Sequence, residues 1–441
     1  MKAILFDLDN TLFATQECNV YLRSRAGREV VCDLIRQDNL AVMPLDPRLP
    51  GYINMLDDLA GVEVFIISDS PQDYCLTILN KFGVTVESGR VLGSMHKPCV
   101  DDEIENLFSN YDEILVVGDT PKDIYFAHRL KAASVFLTSL TDYDIDYSVD
   151  NSMPSAVAHS YEDLVDVIDN FFSGELEYDI PYFKPHFKTV DADTVPIVDI
   201  CDDDIGFAMR YIPELDSIDN DDDRFTWFKI HRSIKPAKIL SYPELDSKKK
   251  ITFYNNNSKI SEGLAFKDIA WFARIKFVEW LKEKGISGKV YLVAAPSSVP
   301  RECNKSLPME TLVFWWVKWL PHISEGRFRV LNGNYVERFW PTTPAHMSKG
   351  KREIRPHFNT LGVFNNVKPY DADTSAIVII DDVVTSGTQM KAVASLLKGT
   401  GMVPKGVPIL GYALAKTTRA NASDDFTKLW EAFSKAEKSG G

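Results

Sequence analysis

Two α/β units, each built on a doubly wound parallel sheet, are predicted for this chain of 441 residues. A chain of this length exceeds what one hydrophobic core ordinarily supports, so two domains are expected. In both halves, short apolar runs end in acidic or hydroxyl residues and are followed by apolar residues at helical spacing, a pattern typical of parallel strands that alternate with helices. The expected limits are 1–172 for the first unit, 173–246 for a linker with irregular structure, and 247–441 for the second unit.

The composition indicates a soluble globular protein and disfavours several classes of partner. Hydrophobic residues make up 45% of the chain and charged residues 25%, as in ordinary globular domains. The net charge of −14 disfavours general attraction to nucleic acid or to an anionic membrane. No apolar run is long enough to span a bilayer, and we expect no signal peptide before the first strand. The six cysteines have neither metal-ligand spacing nor the density of a disulfide framework, so we expect a cytoplasmic protein.

The first chemically informative stretch is Ala3–Phe13, with the sequence AILFDLDNTLF. Its apolar run predicts a buried strand, and Asp7 and Asp9 lie in an acidic turn at the carboxyl end of that strand. Open α/β sheets bind their ligands at this edge. Because residues two apart on a strand point the same way, we expect both carboxylates to face one metal and one phosphate. A strand that ends in a solvated acidic turn is the alternative.

This stretch resembles motif I of the haloacid dehalogenase-like superfamily, DxDx[TV], and the Asp at position 9 resembles its phosphatase and mutase branch. The resemblance implies that Asp7 attacks phosphorus and that Asp9 serves as general acid and base. The following segment, Thr15–Leu40, has apolar residues at helical spacing and predicts one or two helices. These helices either form a small cap over the site or cover the edge of the sheet, and both interpretations stay open.

A second strand and a later lysine resemble motifs II and III of the same superfamily. Strand Val62–Ser68 ends on a hydroxyl group, and the resemblance implies that Ser68 binds a phosphate oxygen. Ser70 is expected to cap the next helix, which Gly83 would close. Lys97 precedes another predicted helix and resembles the lysine whose charge stabilises the nucleophile and the transferring phosphoryl group.

The stretch EILVVGDTPKD resembles motif IV, GDxxxD, and completes the set of motifs in the order that the superfamily requires. The resemblance implies that Asp119 completes an oxygen-only Mg²⁺ site with Asp7 and the carbonyl of Asp9. Asp123 would bind the metal through water or orient Lys97. The first unit is therefore expected to be a Mg²⁺-dependent phosphohydrolase.

The connecting segment 173–246 differs in character from both halves. It contains prolines and two acidic runs, CDDDI from Cys201 and DNDDDR from Asp219. Aromatic and β-branched residues between these runs favour irregular structure docked on the second unit over simple disorder. Neither run has the alternating ligand spacing of a calcium loop, so we interpret both as solvated charge rather than as a metal site.

The most specific stretch of the second half is TSAIVIIDDVVTSGTQM, at 374–390. An apolar strand, Ala376–Ile380, meets Asp381 and Asp382, and a turn then opens a helix. That turn consists of Thr385, Ser386, Gly387 and Thr388. The stretch resembles the phosphoribosyl pyrophosphate (PRPP) motif of type I phosphoribosyltransferases. The resemblance implies a 5′-phosphate held by backbone N–H groups of the turn, and two carboxylates that bind the ribose hydroxyls and favour an oxocarbenium-like transition state.

Two further segments resemble other parts of that family. The loop after strand 289–295 occupies the place of the pyrophosphate-binding loop, with Ser297, Ser298 and Arg301 as candidates. The basic and aromatic segment 327–366 resembles the loop of ComF-type phosphoribosyltransferases that folds over PRPP and clamps pyrophosphate; a surface for single-stranded nucleic acid is the alternative. Its candidate residues are Arg338, Thr342, His346, Arg352, Arg355 and Asn359. The zinc ribbon of many ComF-type proteins has no counterpart, because the chain lacks a CxxC motif.

Together these motifs predict a bifunctional enzyme of nucleotide metabolism. One unit would hydrolyse phosphate monoesters with Mg²⁺, and the other would transfer a phosphoribosyl group from PRPP. The expected ligands are PRPP or a nucleotide and other phosphorylated small molecules; nucleic acid is not favoured, and a homo-oligomer or a protein partner stays open. Two alternatives remain: a phosphatase regulated by a PRPP- or nucleotide-binding unit without turnover, and a bacterial conflict module acting on nucleotides or nucleic-acid ends.

Overall fold

The computed structural model describes residues 1–179, 186–214, 218, 220–255, 259–342 and 353–418. It belongs to the α/β class, as the sequence predicts, with two parallel sheets and helices packed against them. Within the described residues, helices that combine the length and the apolar character needed to cross a membrane are absent.

The first half of the chain alternates strands and helices. The strands are β1 (Lys2–Asp7), β2 (Phe13–Ala14), β3 (Met43–Pro44), β4 (Val62–Ile67), β5 (Val91–Leu92), β6 (Glu113–Gly118), β7 (Ala133–Leu137) and β8 (Ala156–Ala158). The helices are α1 (Asn19–Leu22), α2 (Arg25–Arg36), α3 (Leu49–Asp57), α4 (Gln72–Lys81), α5 (Asp102–Phe108), α6 (Pro121–Leu130), α7 (Ile145–Ser152) and α8 (Tyr161–Ser173).

The first sheet is parallel throughout, with strand order β5-β4-β1-β6-β7-β8. Alternate residues of β1 belong to two buried clusters on opposite faces, with Ile4 and Phe6 in one and Ala3 and Leu5 in the other. Burial on both faces accounts for the unbroken apolar run that predicts this strand. From β1 the sheet is extended on one side by β4 and β5 and then, on the other side, by β6, β7 and β8. Strand β1 therefore lies where the strand order reverses, and open α/β sheets form a ligand-binding crevice at such points.

Helix α4 begins differently from the prediction. Pro71, rather than Ser70, occupies the N-cap position of α4, and no side chain caps this helix end. The Ser70 hydroxyl instead donates a hydrogen bond to Asp9 Oδ2 at 2.6 Å. Gly83 follows the end of the helix in the left-handed conformation, with φ of 72°, as expected of a closing glycine.

The second half also alternates strands and helices. The strands are β9 (Phe187–Lys188), β10 (Ile205–Tyr211), β11 (Thr252–Tyr254), β12 (Ile260–Glu262), β13 (Gly288–Ala294), β14 (Phe328–Asn332), β15 (Val336–Arg338), β16 (Leu361–Phe364), β17 (Thr374–Val384) and β18 (Ile409–Thr417). The helices are α9 (Asp221–Lys229), α10 (Tyr242–Asp246), α11 (Phe266–Glu283), α12 (Pro308–Ile323), α13 (Arg355–Phe358) and α14 (Thr388–Gly399).

The second sheet is parallel as well, with strand order β10-β18-β17-β13-β14. Strand β10 comes from the segment predicted to be a linker with irregular structure, and it pairs with β18 from Ile205 to Tyr211. Buried side chains from the same segment, including Ile230 and Leu245, belong to the core cluster beneath this sheet. The described part of 186–246 therefore packs as part of the second half, while the limits of the two units stay a prediction.

Candidate functional site

Three neighbouring strands bring the predicted site residues of the first unit together. Asp7 ends β1, Ser68 follows β4, and Asp119 follows β6. Because β4 and β6 flank β1 in the sheet, the carboxyl ends of these strands meet at one edge. Asp7, Ser68 and Asp119 therefore lie at one edge of the first sheet.

Three buried carboxylates and one buried ammonium group form the centre of the site. Asp7, Asp119 and Asp123 each place one carboxylate oxygen within 4.8 Å of the others. Lys97 Nζ forms ion pairs with Asp7 Oδ1 at 2.5 Å and with Asp123 Oδ1. The Thr11 hydroxyl donates to Asp7 Oδ2 at 3.1 Å and lies 3.3 Å from Asp119 Oδ1, so it links these two carboxylates.

The buried centre contains more carboxylates than positive charges, and this excess shifts the pKa values of its groups. Burial raises the pKa of Asp7 to about 7, although the Lys97 charge opposes this effect. Burial and the neighbouring Asp7 raise the pKa of Asp119 well above its usual range. For Lys97, burial lowers the pKa, but Asp123 and Asp7 raise it more, so its pKa lies well above the ordinary value and it stays protonated.

A divalent cation fits this centre by charge and by ligand type. Three carboxylates against one ammonium group leave two negative charges when all are ionised, and buried charge of this kind is costly unless it is paired. Carboxylate oxygens are the ligands that Mg²⁺ prefers. The oxygens of Asp7 and Asp119 that contact the Thr11 hydroxyl are the candidate ligands.

The position of Asp123 is fixed by the turn that precedes α6. Its Oδ2 atom accepts hydrogen bonds from the Thr120 backbone N–H at 3.1 Å and from the Thr120 hydroxyl at 2.7 Å, which forms a capping box. A Cβ atom on Gly118 would lie 2.2 Å from Asp123 Cγ, so only glycine leaves room for the carboxylate there. The Asp123 side chain thus caps α6 and forms an ion pair with Lys97. Of the two roles that the sequence leaves open for Asp123, this contact corresponds to the orientation of Lys97.

Asp9 lies in a separate cluster of hydroxyl groups. Its Oδ1 atom accepts hydrogen bonds from Thr15 at 2.7 Å and Tyr74 at 2.8 Å. Its Oδ2 atom accepts from Ser70 at 2.6 Å and Ser68 at 3.3 Å. The Ser68 hydroxyl, predicted to bind phosphate, therefore contacts Asp9 here, and its predicted role stays a prediction.

Sequence reasoning missed three of the four hydroxyl groups around Asp9. The signal for Ser70 is its place two residues after Ser68, just beyond the strand end, but a serine before a proline also reads as a helix cap. Tyr74 lies in the first turn of α4 and is buried, so its sequence position resembles that of a core residue. Thr15 follows the short strand β2 and belongs to none of the sequence motifs described above.

The helices of the predicted cap serve the core of the first unit and contact the second half. Val31 and Ile35 of α2 belong to the buried cluster on one face of the first sheet. The Ser24 hydroxyl donates to the Tyr254 carbonyl at 2.7 Å, and the rings of Tyr21 and Tyr254 lie 5.0 Å apart. Helix α2 therefore contributes to the core of the first unit, and the choice between a small cap and a cover for the sheet edge stays a prediction.

In the second half, strand β17 continues through both predicted ribose-binding carboxylates. It runs beyond the predicted end at Ile380 to Val384, because β18 pairs with it up to that residue. Asp381 Oδ1 accepts the Asp382 backbone N–H at 2.9 Å. Burial and the Asp382 charge raise the pKa of Asp381 well above its usual range.

The turn before α14 contains a glycine in the left-handed backbone conformation. Gly387 has φ of 68° and occupies the N-cap position of α14, a backbone conformation that side chains disfavour. The hydroxyls of Ser386 and Thr388 lie 2.8 Å apart, and that of Thr385 lies 3.0 Å from the Thr417 hydroxyl. The turn is therefore a hydroxyl-lined helix N-terminus, the kind of site that binds phosphate.

The candidate pyrophosphate ligands are engaged within the protein. Arg301 forms ion pairs with Glu310 at 2.7 Å and with Glu337 at 3.1 Å. Arg338 is 1% exposed and donates to the Ser297 carbonyl and the Thr360 hydroxyl. Contact of either guanidinium group with pyrophosphate would require these bonds to break.

Further candidates for pyrophosphate binding make contacts within the protein, and two are not described by the structure. Arg355 is exposed and donates to the Ala192 carbonyl. The Ser298 carbonyl accepts the Thr342 backbone N–H at 2.9 Å. His346 and Arg352 lie outside the described residues. All of these assignments stay predictions.

Magnesium binding is expected to tighten as the pH rises towards 7. Below pH 7 the raised pKa of Asp7 means that a proton must leave before this carboxylate can bind the metal. Loss of one proton on binding strengthens Mg²⁺ affinity by up to about tenfold per pH unit, and the effect levels off above the pKa. Calorimetric titration of the wild-type protein with Mg²⁺ from pH 5.5 to 8.5 measures this slope. An affinity independent of pH would contradict the expectation, and Asp7→Asn serves as the control in which the slope decreases.

Comparisons with known proteins concern the first part of the chain. No protein-family model and no curated protein match the sequence. A solved structure of a hydrolase from Pseudomonas syringae is 19% identical, covers 38% of this chain and 99% of its own, and has a TM-score of 0.32. A haloacid dehalogenase-like protein of unknown function from Agrobacterium tumefaciens is 15% identical, covers 38% of this chain and 98% of its own, and has a TM-score of 0.27. An archaeal β-phosphoglucomutase from Pyrococcus is 10% identical, covers 40% of this chain and 100% of its own, and has a TM-score of 0.27. Similarities at this level assign no activity, so the functional inference rests on the side chains of the site.

Proposed function

We propose that the first unit hydrolyses phosphate monoesters through a covalent intermediate on Asp7. The observation that carries this proposal is the buried arrangement in which Lys97 contacts both Asp7 and Asp123, with Asp119 alongside. A buried site with more carboxylates than positive charges is destabilising unless a bound cation compensates the excess charge. A site of this kind suits a reaction in which a phosphoryl group and a cation bind together.

The proposed reaction has two steps at phosphorus. In the first, a carboxylate oxygen of Asp7 attacks phosphorus, the bond from phosphorus to the leaving oxygen breaks, and that oxygen takes a proton from Asp9. In the second, water attacks the aspartyl phosphate, gives its proton to the Asp9 carboxylate, and orthophosphate leaves Asp7. The hydroxyl groups around Asp9 can each donate or accept, so the cluster accommodates both protonation states.

Lys97 and the carboxylates set the charge at the reacting centre. The Lys97 ammonium group faces Asp7 and offsets the charge that gathers there as a phosphoryl group approaches. Asp7 and Asp119 would hold Mg²⁺, which when bound supplies charge neutralisation at the phosphoryl oxygens. Asp123 keeps Lys97 in position through its ion pair and is itself held by Thr120.

Release of orthophosphate tests this proposal directly. The full-length protein with Mg²⁺ is incubated with p-nitrophenyl phosphate and with a panel of sugar phosphates and nucleotides. Orthophosphate release that disappears on chelation of the metal and in Asp7→Asn supports the proposal. A protein that binds Mg²⁺ but releases no orthophosphate from any member of the panel contradicts it.

We propose, as a second activity, PRPP-dependent phosphoribosyl transfer in the second unit, which would make the protein bifunctional. The observation that favours it is the pair of carboxylates, Asp381 and Asp382, followed by the hydroxyl-lined turn at the start of α14. Pyrophosphate release from PRPP in the presence of candidate nitrogen bases, lost in Asp382→Asn, would support it. PRPP binding without pyrophosphate release would favour a regulatory unit instead.

A further inference from the structure

A cavity of about 710 Å³ lies between the first unit and the second half of the chain. Its walls come from the start of α2 on one side and from α9 and the turn that follows it on the other. Side chains that line it include Arg23, Ser24, Arg25, Trp227, His231 and Arg232. None of the described residues that line the cavity is assigned to the site around Asp7 or to the carboxylate pair of β17.

Direct contacts between the two halves hold the walls of this cavity together. The Ser24 hydroxyl donates to the Tyr254 carbonyl at 2.7 Å, and Arg23 Nη1 donates to the Thr252 carbonyl at 3.4 Å. The rings of Tyr21 and Tyr254 lie 5.0 Å apart. Both carbonyl groups belong to β11, so the turn between α1 and α2 is fixed to a strand of the second half.

The cavity has an excess of positive charge. Three guanidinium groups line it, those of Arg23, Arg25 and Arg232. Glu29 supplies one carboxylate, which pairs with Arg25 at 3.3 Å. In the described part of the chain, Arg23 and Arg232 have no ion-pair partner. Like charges that share a cavity repel each other, so a bound anion would stabilise this arrangement.

Arg232 carries a buried donor that lacks an acceptor. Its Nη1 atom is buried and, among the residues that the structure describes, forms no hydrogen bond. The guanidinium carbon lies over the Phe253 ring, 4.3 Å from its centre. Burial lowers the pKa values of Arg232 and of Arg23. A buried charged donor without an acceptor is costly, and a phosphate group in the cavity would supply acceptor oxygens.

Helix α2 adds to the attraction for an anion. Ser24 is its N-cap, and the Ser24 hydroxyl accepts the Gly27 backbone N–H at 3.0 Å. Ala26, in the first turn of this twelve-residue helix, lines the cavity. The positive end of the helix dipole therefore lies beside the arginines, and both favour negative charge at this place.

A stacked pair of aromatic rings stands beside these charges. The rings of Trp227 and His231 lie 4.1 Å apart, with 22° between their planes. Hydrogen bonds to the Pro213 carbonyl at 3.2 Å and to the Tyr211 hydroxyl at 2.8 Å hold the two rings in place. Burial and neighbouring positive charges lower the pKa of His231 to about 4, so its ring is neutral at pH 7. A neutral aromatic surface of this kind suits a planar base.

We propose that this cavity binds a nucleoside phosphate, with the phosphate groups at Arg23 and Arg232 and the base against Trp227. Ligand sites for molecules of this size measure about 300–1,000 Å³, and the cavity falls within this range. The site uses none of the residues of the two proposed activities and does not depend on either of them. Because both halves line it, a bound nucleotide would contact the two units at once.

Titration calorimetry of the full-length wild-type protein tests this inference. EDTA is present, because it removes the Mg²⁺ that the proposed phosphatase requires. The probes are ADP, GDP, CDP and UDP, and their nucleosides and pyrophosphate serve as partial ligands. We expect at least one diphosphate to bind more tightly than both its nucleoside and pyrophosphate.

Variants separate the phosphate contact from the base contact. Arg23→Met and Arg232→Met should each weaken binding of that diphosphate and of pyrophosphate about tenfold, because a charged hydrogen bond to phosphate is lost. Trp227→Leu should weaken the diphosphate by about tenfold through loss of stacking, and leave pyrophosphate binding unchanged. Arg36→Met, at the last residue of α2, is the matched control and should leave both affinities unchanged.

Three results would overturn the inference. The first is absence of binding by all four diphosphates, and the second is diphosphate binding that Arg23→Met and Arg232→Met leave at the wild-type level. The third is equal affinity for pyrophosphate and for the diphosphate, unchanged in Trp227→Leu, which would mean that no base is recognised. Because Arg23 is exposed, Arg23→Met tests the phosphate contact even if Arg232→Met does not fold.

Discussion

Replacement of Asp7 by Asn is expected to lower orthophosphate release by about 10⁴-fold or more, because the amide cannot serve as the attacking group. The variant should still fold. Asp7 is a buried carboxylate whose pKa burial raises to about 7, so a neutral amide at this place removes a cost at pH 8 rather than adding one. Lys97 retains its ion pair with Asp123. Initial rates with p-nitrophenyl phosphate and Mg²⁺ measure the loss.

The matched control for this experiment is Asp58→Asn, at an exposed carboxylate after α3. This control carries the same chemical change and should retain full activity. Hydrogen exchange of the β1 peptide should show protection in Asp7→Asn at least equal to that of the wild-type protein in a chelator at pH 8. Activity of Asp7→Asn within tenfold of the wild-type rate would exclude Asp7 as the nucleophile.

Much of the first fold could be predicted because its strands are buried on both faces. The run AILF before Asp7 and the run ILVV before Gly118 are apolar throughout, and such runs identify interior parallel strands. Their polar ends mark the edge where Asp7 and Asp119 meet.

The contacts of the site residues could not be predicted in the same way. Ser70 and Tyr74 approach Asp9 only because α4 begins beside the end of β1, a consequence of packing rather than of spacing. Strand β10 illustrates the same limit. Its sequence, IGFAMRY, follows an acidic run and lies at the edge of its sheet, so its pairing with β18, about 200 residues later, leaves no local pattern.

Arg301 and Arg338 show how local chemistry predicts charge but not its partner. Arg301 lies in a short 3₁₀ helix after β13, and Arg338 is the last residue of β15. In the folded chain Arg301 forms ion pairs with two glutamates. Arg338 is buried and donates hydrogen bonds to uncharged acceptors. A guanidinium group satisfied within the protein and one free for a ligand have the same sequence signature.

Replacement of Lys97 by Met is expected to destabilise the first unit by about 3–5 kcal/mol, because it removes the only positive partner of a buried ion-pair cluster described here. Asp7, Asp119 and Asp123 would remain buried together without that charge. The Lys97 charge now lowers the pKa values of Asp7 and Asp119, so without it these two values would rise further and the folded state would bind more protons than the unfolded state. The unfolding free energy should therefore fall as pH rises, and the loss should be larger at pH 8 than at pH 5.5.

Hydrogen exchange is the suitable measurement, because it reads peptides of the first sheet individually, whereas all eight tryptophans of the chain lie beyond residue 226 in the sequence. Peptides from β1 and β6 give the free energy of opening. Lys122→Met is the matched control: its ion pair with Asp69 is partly exposed at 3.7 Å, and pairs of that kind contribute less than about 1 kcal/mol. Addition of Asp123→Asn to Lys97→Met removes one of the stranded charges and should recover part of the loss. Equal losses for Lys97→Met and Lys122→Met, or a Lys97→Met loss that does not grow with pH, would mean that the three carboxylates are not held together by Lys97.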